Sequence, residues 1–395
     1  MYFNTLFDLS LSGEDASRHA EWGAALSLSA LLCCSPGDEA VLDAAPDVGY
    51  LAWLSAHGFS PRIASEDAPH DGFLPVPWGW NREAEDRFAA FGCSCVHPPF
   101  EAVAAANSRD LSNRVAQMIG SPSAGLTARS RRELEALLAP ARYPYVVKPC
   151  HGSAGSGFTI VTDAASAMRA SDRGEASFVK GGAVSVERWL DRLDDYSANF
   201  TVSAKGELES FTCHRAFIDR KGIFRGIDIC GDVPSDYMDM LREAAECSAR
   251  ELHAAGYFGP AGIDAFSFRE AGSVRFNPIC EINARLTMGE IARSMARVLG
   301  GACGRTLLVV TGGAEIPSEM KEFSRVFGGD AYDPASKKGI FPAMPAHLTK
   351  DGKELEEKAR IIAGQTLKEA LHGITLEELS IGQEVLKKVF YNTKD

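Results

Sequence analysis

Residues 276–288 read FNPICEINARLTM, and their core sets an acid, an amide and a guanidinium (Glu281, Asn283 and Arg285) at every second position. In an extended strand, alternate side chains project from one face. An earlier short strand, residues 262–268 (GIDAFSF), carries a single acid, Asp264, and the intervening Glu270-Ala271-Gly272-Ser273 suits a hairpin turn. A turn centred on Gly272 and Ser273 sets Asp264 opposite Glu281, with roughly 4.5 to 5.5 Å between Cβ atoms. Like charges at that spacing repel unless a cation lies between them. Two carboxylates and an amide oxygen suit Mg²⁺, which keeps waters and phosphate oxygens as its other ligands.

Other elements must bring ligands to such a pair. Residues 145–149 (YVVKP) read as a strand with Lys148 near its end, followed by Cys150-His151-Gly152-Ser153-Ala154-Gly155-Ser156-Gly157-Phe158 and a second strand at 159–161. The glycines let backbone N–H groups turn toward a phosphate. The lysine precedes the glycines, their spacing is GxxGxG and a strand follows, so neither a Walker loop nor a dinucleotide fingerprint applies. Taken alone, an ordinary hairpin with a glycine turn fits as well. Next come residues 183–190 (AVSVERWL), an apolar strand breaking into a charged and aromatic segment, and then Asp194-Asp195-Tyr196-Ser197-Ala198. The exposed end of such a strand can read an adenine edge, and a following carboxylate can accept ribose hydroxyls. Trp189 read as a core residue is the blander alternative.

The 395 residues are enough for two or three lobes. A formal net charge of −12, with no basic run, speaks against a nucleic-acid or anionic-membrane surface. No apolar stretch has the roughly 18 residues that span a bilayer; the best, residues 24–34 (AALSLSALLCC), reads as a buried helix. The N-terminus lacks a signal-peptide pattern, so a cytoplasmic protein is expected. Ten cysteines, including Cys33-Cys34 and Cys93-Ser94-Cys95, read as reduced thiols without a zinc spacing.

Residues 38–96 alternate short strands (39–44, 59–64, 75–80, 93–96) with helices (48–57, 82–91), the pattern of a small parallel α/β layer. Asn107 is the expected cap of a helix to about residue 119, and a charged helix covers 130–138. Between 176 and 202, two apolar strands flank a helix-like or looped insert, and residues 203–228 alternate as a hairpin turning at Lys205-Gly206. Helices are expected at 235–255 and 289–299, and helical periodicity returns at 353–371 and 376–390.

In this order, the lysine strand, glycine loop, VERWL segment, DYSA strand, GIDAF strand and EINAR strand resemble the ATP-grasp superfamily of carboxylate-amine ligases. The resemblance covers about residues 105–310 and is most specific in CEINARLTMG, similar to the family's E-x-N-x-R strand; residues 38–96 look like the small domain that usually precedes it. It implies an α+β and α/β chain with a Rossmann-like domain at 1–104. The ATP-grasp fold follows at 105–320, two α+β subdomains clamping ATP with a glycine-loop lid at about 125–190, and a mostly helical extension occupies 321–395.

By position, the resemblance implies that Lys148 contacts the α- and β-phosphates. Gly152, Ser153, Ala154, Gly155 and Gly157 then belong to a mobile flap over the phosphates. Glu187, Arg188, Trp189 and Leu190 supply the adenine hinge and Asp195 the ribose contact. Asp264, Glu281 and Asn283 hold Mg²⁺ (or Mn²⁺), with Arg285 on the transferred phosphoryl group. Where the family often has a further lysine, Arg109 stands here, with a different geometry. His214-Arg215 could face the site, with Arg215 as a catalytic candidate, or form a surface pair.

The implied reaction activates a carboxylate as an acyl phosphate that an amine then opens, releasing ADP and phosphate. An amino acid or small peptide is one of its small-molecule partners. A kinase-like phosphotransferase and a non-catalytic nucleotide-binding module are the competing readings. The tail helices read either as a cover for the acceptor pocket or as a homodimer interface.

Overall fold

The computed structural model describes residues 1–68, 70, 72–140, 144–152, 157–218, 224–229, 233–299, 307–309, 335, 348–350 and 353–355. The N-terminal region contains α1 (Phe7–Ser12), a 3-10 turn at Ala16–His19, α2 (Ala20–Ser27), α3 (Ala30–Cys33), β1 (Ala45–Pro46), α4 (Val48–Ala56) and α5 (Arg82–Ala90). The expected parallel layer is reduced to isolated parallel bridges, Tyr2 with Val41 and Pro77 and Ala40 with Ile63, and 93–96 forms no strand. The apolar run at 24–34 is buried as expected, but as two helices parted at Leu28 and Ser29.

The chain continues with α6 (Phe100–Ala106), α7 (Arg109–Met118), β2 (Leu126–Ala128), α8 (Arg131–Leu138), β3 (Tyr145–Pro149), β4 (Thr159–Val161), α9 (Ala164–Val179) and β5 (Val184–Arg188). The cap of α7 is Ser108, whose Oγ accepts from the Asp110 N–H at 3.2 Å; the expected cap, Asn107, instead closes α6. Four antiparallel strands in the order β2-β5-β3-β4 pack their apolar face, with Val147, Val161, Val184 and Val186, on Leu134, Leu138 and Ala170 of α8 and α9. Each fully buried aliphatic side chain in such a layer contributes about 1.5–3 kcal/mol.

Next come β6 (Asp191–Val202), β7 (Leu208–Ile218), β8 (Phe224–Asp228), α10 (Ser235–Ala254), β9 (Gly259–Glu270), β10 (Ser273–Asn283), α11 (Met288–Leu299) and β11 (Leu307–Val309). Only Trp189 and Leu190 separate β5 from β6, so the insert expected between two strands there is absent, and residues 176–179, expected to open the first strand, complete α9 instead. A six-stranded sheet runs in the order β10-β9-β6-β7-β8-β11. One of its faces lies under α10, with Tyr196, Ala198, Ala265 and Phe276 packed around Leu241.

Two further strands, β12 (Leu348–Lys350) and β13 (Lys353–Leu355), pair with each other, and β12 pairs with β1. Residues 353–355 are thus extended where a helix was expected; the remainder of both tail helices lies outside the described residues. None of the described cysteines is paired, and no described helix is long and apolar enough to cross a membrane.

Candidate functional site

The register of the six-stranded sheet assembles the site. His214 pairs with Ser197 across β7 and β6, Ser197 with Asp264 across β6 and β9, and Asp264 with Glu281 across β9 and β10. A second row on the same face runs Thr212, Asn199, Gly262 and Asn283. Side chains one residue out of step point to the opposite face, toward α10.

The pairing of Asp264 with Glu281 is reached by a different route from the one expected. The turn is Ala271-Gly272, with φ of 50° and 82°, not Gly272-Ser273. The strands therefore start out of the expected register, with Ser273 opposite Glu270 and Asn277 opposite Phe266. A shift between Asn277 and Glu281 then brings Glu281 opposite Asp264. Asn277 holds this irregularity: its Oδ1 accepts from Ser121 Oγ at 2.8 Å and the Ser123 N–H at 2.9 Å, and its Nδ2 donates to the Ile279 carbonyl at 2.8 Å.

Helix α7 and its flank fix the strand end. The Ile282 N–H donates to Ser112 Oγ at 3.0 Å, and the Ala284 N–H to Asn107 Oδ1 at 2.9 Å. Buried Ile282 and Ala284 leave Glu281, Asn283 and Arg285 on the other side. Arg285 lies beyond the end of β10, yet its Nη2 donates to Asn283 Oδ1 at 3.1 Å, so the three polar groups stay together.

Asp264 accepts from Ser197 Oγ at 2.8 Å and from Asn283 Nδ2 at 3.0 Å. Burial, with the neighbouring Glu281 charge second, pushes its carboxyl above the usual range. Arg109 reaches across from α7, its Nη2 2.7 Å from Glu281 Oε1 and its Nη1 donating to the Pro149 carbonyl at 2.8 Å. Arg109 thus joins the lysine strand to the acid pair. Two partly buried acids, one of them pushed toward protonation by burial and then by its neighbour, fit a divalent cation, whose charge would offset both the desolvation and the repulsion. Asn283 completes the set only by sharing its amide oxygen with Arg285. No three His, Cys, Asp or Glu side chains converge as a metal-holding group among the described residues.

Lys148 donates to Glu187 Oε2 at 2.6 Å, and Glu187 Oε1 accepts from Ser185 Oγ at 2.8 Å. The side chain of Glu187 therefore turns inward, and only its backbone is left for the hinge role expected of it. Arg188 pairs with Glu270 at 2.7 Å on the exterior. Trp189 stacks with Phe158, centroids 6.2 Å apart, and its N–H donates to the Pro144 carbonyl at 3.0 Å. Leu190 packs with Phe266, Phe268 and Cys280 into an apolar patch. Asp195, two residues before Ser197, shares the site face beside that patch and is ion-paired with Arg192. Gly152 and Gly157 (φ 78°) are described. Ser153, Ala154 and Gly155 lie outside the described residues.

Two placements differ from expectation. Arg215 sits one residue out of step with His214, pairs with Asp194 at 2.8 Å, and is not brought together with the acids. Arg285 is engaged by a residue that sequence reasoning missed: Asp8 of α1 takes its Nε and Nη2 at 2.8 Å each. The guanidinium also lies 5.6 Å from the Trp78 ring centroid. Nothing local marks Asp8, because its partner is distant in sequence. Ser197 and His214 could have been found by alternation, once the β6 and β7 registers were known. A cavity of about 250 Å³ lined by Ser108, Asp110, Arg129, Cys150, His151 and Phe178 lies at the start of α7 and does not include the acid pair.

No family model matches the sequence, and neither does any curated protein. Solved structures similar to the chain include N5-carboxyaminoimidazole synthetase from Staphylococcus aureus complexed with ADP, at 12% identity and TM-score 0.45, covering 67% of this chain and 74% of that one. Phosphoribosylamine–glycine ligase from Thermotoga maritima is similar at 17% identity and TM-score 0.47, covering 76% and 89%. N5-carboxyaminoimidazole synthase from Aspergillus clavatus, in complex with ADP and a ribonucleotide, is similar at 14% identity and TM-score 0.47, covering 86% and 94%. At such identities and TM-scores, these likenesses say nothing of which reaction this chain catalyses.

Proposed function

We propose that the chain is an ATP-dependent ligase of the ATP-grasp superfamily, activating a carboxylate as an acyl phosphate and coupling it to an amine. The observation that supports this reading is the facing of Asp264 and Glu281 on one sheet face, with Arg109 and Arg285 bonded to their row and Lys148 one residue from the glycine segment. A pair of partly buried acids flanked by two guanidinium groups suits a polyphosphate bound through a divalent cation. Asp264 and Glu281, with Asn283, would hold the Mg²⁺, which supplies charge neutralisation for the phosphates. Leu190 and Phe266 lie beside Asp195, where an adenosine would need an apolar wall and a hydroxyl acceptor; Arg192, over the Phe266 ring and paired with Asp195, would have to move aside.

Chemistry of this kind asks the chain to position and to neutralise charge, since the substrate's own carboxylate is the nucleophile. Its oxygen bonds to the γ-phosphorus as the bond to the β-phosphate oxygen breaks and ADP departs. The amine nitrogen then bonds to the acyl carbon, the carbon–oxygen bond to phosphate breaks, and the nitrogen loses a proton. Arg285, aligned with Asn283, faces the charge that develops on the transferred group; Asp8 must yield part of its hold for that contact to form.

The test is ADP release with Mg-ATP across a matrix of amino acids, peptides and small acids. Ligation requires release that depends on an acid and an amine together. Release with a single acceptor that leaves phosphorylated would support the phosphotransferase instead, and no release with any combination would support a module without turnover.

A further inference from the structure

The row that begins at Glu281 and Asp264 ends at His214, and the neighbouring row on the same face carries Asn199; the reaction outlined above uses neither group. His214 is 2% exposed and Asn199 is 8% exposed, and both carry a buried nitrogen, Nε2 and Nδ2 respectively, without a hydrogen-bond partner among the described residues. The two meet at the first turn of α11. A β-carbon added to Gly289 would collide with Asn199 Nδ2 and come within 2.7 Å of His214 Cε1, so only glycine lets the helix start settle there. Thr287 Oγ1 donates to Asn199 Oδ1 at 2.9 Å, which turns the amide nitrogen, a donor, toward the helix.

We propose that His214 and Asn199, beneath the first turn of α11, form a subsite for a carboxylate that a substrate carries but does not react through. It rests on the ligase reading only in attributing that carboxylate to a substrate. Asn199 Nδ2 is a donor, and His214 Nε2 is one in the tautomer that carries its proton there; a carboxylate oxygen is the acceptor that satisfies both. Both groups are uncharged at neutral pH, since burial pushes the imidazole down to about 4. Uncharged donors at the positive end of a helix dipole suit a singly charged carboxylate better than a phosphate dianion, which the guanidinium groups at the other end of the row would hold. His214 lies two strand spacings from Asp264, or about 10 Å, and Asn199 lies one, so the substrate that carries this carboxylate is an extended one rather than a simple α-amino acid.

The carboxylate can belong to the acid or to an amino-acid acceptor, and both are recognised by the same donors. Sodium acetate is the minimal probe, with acetamide and sodium chloride as controls. In the full chain labelled at the histidine rings with ¹⁵N, the His214 signals are identified by their loss in His214→Gln. Acetate should shift them saturably, and neither control should. Calorimetry should show acetate affinity falling at least about tenfold in Asn199→Asp, where a like charge replaces a donor, while His214→Gln, which keeps an amide donor, holds it within a few-fold. In turnover, Asn199→Asp should raise the KM of one substrate about tenfold with the KM of ATP unchanged. A rise for the acid assigns the carboxylate to the acid, and a rise for the amine assigns it to the amine. Shifts equal for acetate and acetamide, no saturable shift in the wild type, or an unchanged KM for both substrates would overturn the proposal. None of the binding results depends on ATP turnover, so the subsite and the ligase reading can fail separately.

Discussion

Asp264 and Glu281 face each other with unequal support. Asp264 is held by Ser197 and Asn283, neither charged, while Glu281 has the Arg109 guanidinium. Replacing Glu281 with Gln keeps a side chain of the same shape for Arg109 to bond while halving the charge offered to a cation. Turnover should fall at least about 100-fold, and the urea midpoint should shift by less than about 2 kcal/mol equivalent. His214 carries its own pH signature. Its folded pKa is depressed by burial to about 4, so the unfolded chain takes up a proton first as pH falls below the usual histidine range. Stability is therefore complete above pH about 6.5 and is lost as pH drops toward 4. The difference in melting temperature between pH 7 and pH 5 should shrink in His214→Gln; an unchanged difference would mean that His214 is not buried neutral. The identity of this histidine as the site-facing member of the His214-Arg215 pair was out of reach from sequence, because adjacent residues on a strand always point apart and only the register says which one faces the acids.

At the scale of elements, the hairpin of β9 and β10 was legible in its strands and its acid pairing but not in its path. Alternation exposed the polar face of Glu281 and Asn283, yet the turn falls one residue earlier and a bulge makes up the register. A bulge depends on long-range anchors, here Ser121 and Ser123 on Asn277, which no local pattern encodes. Asn277→Ala leaves the buried Ser123 N–H without its acceptor and Ser121 Oγ with only the longer bond to the Ile279 carbonyl. It should destabilise the chain by about 1–3 kcal/mol, measured by urea unfolding, and also reduce turnover by loosening the alignment of Asp264 with Glu281. Ala271, a non-glycine residue at positive φ, predicts the reverse. Ala271→Gly relieves a cost of about 1–2 kcal/mol against a smaller loss of chain entropy, so the melting temperature should rise slightly with activity unchanged. The glycine segment reads from its spacing either as a phosphate-binding loop or as an ordinary hairpin, and residues 153–156 lie outside the described residues, whereas the parallel layer at 38–96 was over-read: its apolar runs pair through single bridges, since loops separate them after only one or two residues of contact.

For the whole molecule, the N-terminal region is a participant in the site as well as a flank to it. Asp8 on α1 grips Arg285, and Trp78 lies beside the same guanidinium. Asp8→Asn removes the charge from a partly buried bidentate pair. Stability should fall by about 1–3 kcal/mol, and Arg285 should become freer to meet the transferred phosphoryl group, so that the KM of ATP changes along with kcat. Such a link between α1 and the end of β10 follows from tertiary packing, and no local sequence pattern offers a sign of it.

A carboxylate activated as an acyl phosphate on the face that carries Asp264 and Glu281 is open to direct capture. Hydroxylamine intercepts such an intermediate as a stable hydroxamate. With Mg-ATP and a panel of small acids, the wild-type chain should form a hydroxamate from at least one acid in proportion to ADP, and Glu281→Gln should form none. ADP released without any hydroxamate from any acid, or a hydroxamate yield undiminished in Glu281→Gln, would rule out an acyl phosphate formed on this face.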